Sequence, residues 1–139
     1  MQYNEQYRQL AKRYNRHLEK MEIAPAADLL LEMADILHKE DRYDDELTLL
    51  LLSYFFNLSG KGEEIHVKKS TIERIVHMKY VIGISFLDIR FRYSRILDER
   101  CGFPGGVTYA SSLELLTLLM DPSAFSGMPE RYVISGPKI

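Results

Sequence analysis

The chain has 139 residues and a formal net charge of -2, with 46% apolar and 27% charged side chains. That length suits one globular domain, and the apolar content is too high for a disordered chain. Cations matched by anions disfavour a strongly basic nucleic-acid binder, and the single Cys101, with no partner in the chain, excludes a disulfide scaffold.

The opening residues, Met1 to Tyr7, are polar and aromatic and lack the basic-then-apolar order of a secretory signal. Tyr3, Tyr7, Leu10, Tyr14, His17 and Met21 then recur every three or four residues. This spacing predicts a helix from Asn4 to Met21 with an aromatic stripe on one face. Arg8, Lys12, Arg13, Arg16 and Lys20 fall between the stripe positions and are expected to face water. Pro25 suits the first position of a second helix, Ala26 to Lys39, because its missing N–H would be unpaired there anyway. Leu29, Leu30, Met33, Ala34 and Leu37 form the apolar face of that helix, and Glu32, Asp35 and His38 its solvated side.

Lys39 to Arg42 reads as a turn, and Asp44, Asp45 and Glu46 open a third helix where the helix dipole favours acids. From Leu47 to Leu58 this helix is apolar almost all round, which marks it as the buried centre of the domain. These 12 residues fall well short of the ~20 that span a bilayer, so no membrane helix is expected. Gly60 to Lys69 reads as a polar connection. Ser70-Thr71-Ile72-Glu73 matches a capping box and starts a long helix to about Arg100, bent near Gly83. Ile89 to Arg95 also alternates with period two, as a strand would, but the helical period covers more residues. After the turn cluster Cys101 to Gly106, a second box at Ser111-Ser112-Leu113-Glu114 predicts a short leucine-rich helix that Asp121-Pro122 stops. Residues 122–139 are expected to be a loosely ordered arm, or one that docks in extended form.

The expected fold is therefore all-α: a single small domain of about five helices over residues 1–121, followed by the arm. Residues 27–60 resemble one tetratricopeptide repeat. Leu30, Met33, Ala34 and Leu37 match its first helix, Tyr43 its turn, and Leu50 and Ser53 its second helix. Asp41 stands where the repeat prefers Gly, Glu46 where it prefers Ala, and Leu58 where it often has Pro. A second echo runs from Lys79 to Leu97, with one residue inserted. The resemblance implies a helical-hairpin scaffold that binds a protein or peptide and performs no chemistry.

The reactive residues agree with that expectation. His17, His38, His66 and His77 form no i, i+4 pair; Glu73 and His77 share a face and His66 offers itself as a nearby third ligand, short of the four a structural zinc needs. No nucleophile elbow or phosphate loop is present, and Cys101 has no local activating partner. No catalytic, cofactor or metal residue is therefore assigned.

Split along the chain, the charge is -4 over residues 1–60, +3 over 61–100 and -1 over 101–139. The basic middle interleaves cations with Phe86, Phe91 and Tyr93, so nucleic-acid binding through residues 68–100 is the alternative to protein binding. The expected contact residues are Tyr7, Tyr14 and His17 on the first helix and Arg90, Arg92, Tyr93 and Arg95 in the basic segment. The aromatic content of residues 80–93 also allows a homodimer. The sequence reads as a cytoplasmic regulatory, adaptor or inhibitor protein.

Overall fold

Leu47, Leu50, Leu51, Tyr54, Phe55 and Phe56 leave one helix little polar side to show to water, so the other helices must cover it. In a computed structural model that describes residues 3–58, 64–99, 116 and 131–135, this helix is α3 (Tyr43–Leu58). It touches α2 (Ile23–Lys39), α4 (Lys69–Ile82) and α5 (Phe86–Glu99), while α1 (Glu5–Glu19) packs on α2. The body is the expected all-α small domain, with five helices among the described residues. One continuous core runs from Leu10 through Leu30, Leu47, Tyr54 and Ile75 to Tyr93 and Leu97.

Local chemistry explains several of the helix ends. The Asn4 side chain accepts the backbone N–H of Tyr7 at 2.7 Å and so caps α1. At the other end Met21 donates to the Leu18 carbonyl and Glu22 to that of His17; Asp41 and Arg42 repeat the pattern on His38 and Leu37. Both are Schellman turns, and both put a non-glycine residue in the left-handed region, at φ 59° for Met21 and for Asp41. The position where the tetratricopeptide pattern prefers glycine, Asp41, is thus one that needs positive φ. Pro25 is the third residue of α2 rather than the first, still within the turn whose N–H groups have no intrahelical acceptor. Ala26 and Ala27 are fully buried, and the Ser53 hydroxyl donates to the Ala27 carbonyl at 2.9 Å, so α2 and α3 approach closely through small side chains.

Three expectations are corrected. Residues 64–68 are not an irregular connection: β1 (Glu64–Lys68) pairs antiparallel with β2 (Arg131–Ser135), with Glu64 opposite Ser135 and Lys68 opposite Arg131. Part of the C-terminal arm is therefore docked and extended. Because the ladder holds the backbone extended through Lys68, α4 begins at once at Lys69. Ser70 consequently lies inside the first turn and does not cap it. The long helix is also two helices. Gly83 takes the left-handed conformation, φ 66° and ψ 27°, and ends α4. Ser85 and Asp88 then open α5 with a reciprocal cap: each backbone N–H donates to the other's side chain at 3.2 Å. Ile89, Tyr93 and Leu97 are buried at a four-residue spacing, so the helical period prevails over the period-two pattern. The predicted helix after Ser111 lies outside the described residues except for Leu116, which is helical and fully buried.

Candidate functional site

Burying Ile89, Tyr93 and Leu97 turns the opposite side of α5 outward. Leu87 and Phe91, one turn apart, are 74% and 62% exposed there. Arg90 and Arg95 flank them, both exposed and without an ion pair among the described residues. At the end of α4, Tyr80 is 75% exposed, and Lys79 lies 3.9 Å over the Phe86 ring. Two large apolar side chains bordered by two cations thus stand open to water.

The other expected contact residues are differently employed. Tyr93 is fully buried, edge-on to Tyr54 with ring centroids 5.2 Å apart, so its assignment to a contact surface is corrected. The interleaving of aromatics and cations does not reveal which aromatics face inward. Arg92 is 2.9 Å from Asp44 and ties α5 to the start of α3. The aromatic stripe of α1 turns toward the core. Tyr14 meets Phe56 edge-on, and Tyr7 stacks on Tyr3, whose ring also carries Arg42 at 4.0 Å. Burial first, then the neighbouring Tyr3, raises the Tyr7 pKa. His17 is half-buried and 3.2 Å from Glu22.

One polar cleft escapes a reading of one helix at a time. Asp35, His38, Glu46, Glu73, Arg74, His77 and Met78 line about 450 Å³ among α2, α3 and α4. Its floor is the Glu46 carboxylate, 3% exposed. His38 Nδ1 lies 2.8 Å from one Glu46 oxygen, and Arg74 lies 3.6 Å from the other and 2.9 Å from Asp35. The signal in the sequence is Glu46 at a position where the tetratricopeptide pattern it resembles prefers alanine. Glu73 and His77 both line this cleft, yet among the described residues no three His, Cys, Asp or Glu side chains could hold a metal ion. The His66 side chain and Cys101 lie outside the described residues. The cleft works as a three-helix tie: a buried acid held by a histidine and an arginine. Among the described residues no helix is long and apolar enough to cross a membrane. No protein-family model, curated protein or solved structure matches the chain.

Proposed function

We propose that the chain is a non-enzymatic protein-binding module, a small regulatory, adaptor or inhibitor protein of the cytoplasm. The outward face of α5 carries the reading: Leu87 and Phe91 exposed on one helical face, with Arg90 and Arg95 beside them. Two large apolar side chains side by side gain by burial against another surface, and flanking cations select an acidic rim on the partner. The resemblance of residues 27–60 to a tetratricopeptide hairpin supports the same function. Nucleic acid is the weaker alternative, because ion pairs occupy Lys68, Arg74 and Arg92 within the basic segment.

The test compares wild type with Leu87→Ser/Phe91→Ser as affinity baits in a lysate of the native host. Wild type is expected to retain a discrete partner that the double variant loses, while both keep the same helical circular dichroism. Equal capture by the two baits would refute the α5 surface. Salt-sensitive retention of a labelled oligonucleotide would favour the alternative.

A further inference from the structure

The outward face of α1 carries a charge pattern that the acidic front half conceals. Lys12, Arg16 and Lys20 follow one another at four-residue intervals, with Arg13 beside them. All four are exposed, and none makes an ion pair among the described residues. Of the nearby acids, Glu5, Asp28, Asp44 and Asp45 each hold an ion pair and Glu22 contacts His17, which leaves Glu19, exposed on α1 beside Lys20, as one acid against these four cations. Ion pairs to Lys68, Arg74 and Arg92 offset most of the formal -4 of residues 1–60, and α1 presents a net positive stripe. At its end Arg13, Arg16, His17, Lys20 and Glu22 enclose a cleft of about 240 Å³. Met21, 67% exposed, stands next to it in a left-handed conformation that a methionine disfavours.

We propose that this stripe docks an acidic, extended polypeptide segment of a partner. The inference rests on the protein-binding reading and gives it a second surface. Four residues of helix rise about 6 Å, while alternate residues of an extended chain lie about 6.7 Å apart and point the same way. Carboxylates at alternate positions therefore meet Lys12, Arg16 and Lys20 nearly in step. The exposed thioether of Met21 offers an adaptable apolar contact at the end of the row. A single-stranded nucleic acid fits less well, because it needs aromatic platforms and Tyr7 and Tyr14 are turned toward the core.

The experiment is fluorescence anisotropy with a labelled alternating Glu-Ser peptide and, in parallel, labelled oligothymidylate. Saturable peptide binding that weakens with salt is expected. Lys12→Glu/Arg16→Glu should weaken it by about ten-fold. The milder Lys12→Gln/Arg16→Gln should act in the same direction, guarding against misfolding of the reversed-charge variant. Leu87→Ser/Phe91→Ser should leave peptide binding unchanged, so a failure of the α5 surface is read separately. Absence of saturable binding, indifference to the α1 substitutions, or tighter binding of oligothymidylate would each overturn the proposal.

Discussion

The Glu46 side chain is held where water barely reaches, and its two oxygens face His38 and Arg74. Removing one partner of a buried pair costs more than the pair contributes, because a charge is left without compensation. Arg74→Met should destabilise the fold by about 2–3 kcal/mol in urea unfolding. Adding Glu46→Met to that variant should restore part of the loss, and a fully additive double variant would show that the two side chains are not coupled. Tyr54 supplies a second residue-scale test. It is 1% exposed, and burial raises its pKa well above the usual phenol value. The folded state then keeps a proton that the unfolded chain releases above pH ~10. Stability should be constant in this respect below pH ~10 and fall as pH rises beyond it. Denaturation midpoints across the alkaline range would show the decline, and Tyr54→Phe should flatten it.

Elements begin and end here for reasons of unequal visibility. The apolar run of α3 lies in contiguous residues and is legible in the sequence, whereas the Asn4 cap of α1, though as local, emerges only from the structure. The Ser85–Asp88 cap is equally local, yet it is hidden by reading Gly83 as a bend within one helix instead of its terminator. Ser85→Ala should cost about 1 kcal/mol, with hydrogen exchange rising first at the amides that open α5. The two Schellman turns make a paired prediction. Met21→Gly removes left-handed strain from an exposed site and should stabilise by about 1 kcal/mol. Asp41→Gly should gain less, because the Tyr43 hydroxyl donates to the Asp41 carboxylate at 2.7 Å and that bond would be lost. Thermal unfolding of the two variants tests the ordering.

At the scale of the whole molecule, periodicity revealed which residues are helical, but not which helix covers which. Tyr93 is the clearest case. Its spacing places it on a helix, and only the position of α3 decides that it faces Tyr54 and not a partner. Glu46 is similar: its burial follows from α2 and α4 closing over the first turn of α3. The ribbon was invisible for a different reason. Glu64 to Lys68 shows five alternating residues, too few to announce a strand whose partner lies far along the chain. Of the expected contact residues, the structure leaves Arg90 and Arg95 facing outward, and it adds Leu87 and Phe91, which lie opposite the helical face of Ile89, Tyr93 and Leu97.

The ribbon has a consequence for the order in which the molecule assembles. Lys68 and Arg131 are register partners 63 positions apart, so α4, α5 and everything up to β2 sit within one closed loop. Contacts between α1, α2 and α3 join near neighbours in sequence and can form before that loop closes. Zipping of the two strands is then the expected late step of folding. Amides of residues 64–68 should accordingly exchange with solvent sooner than those of α3.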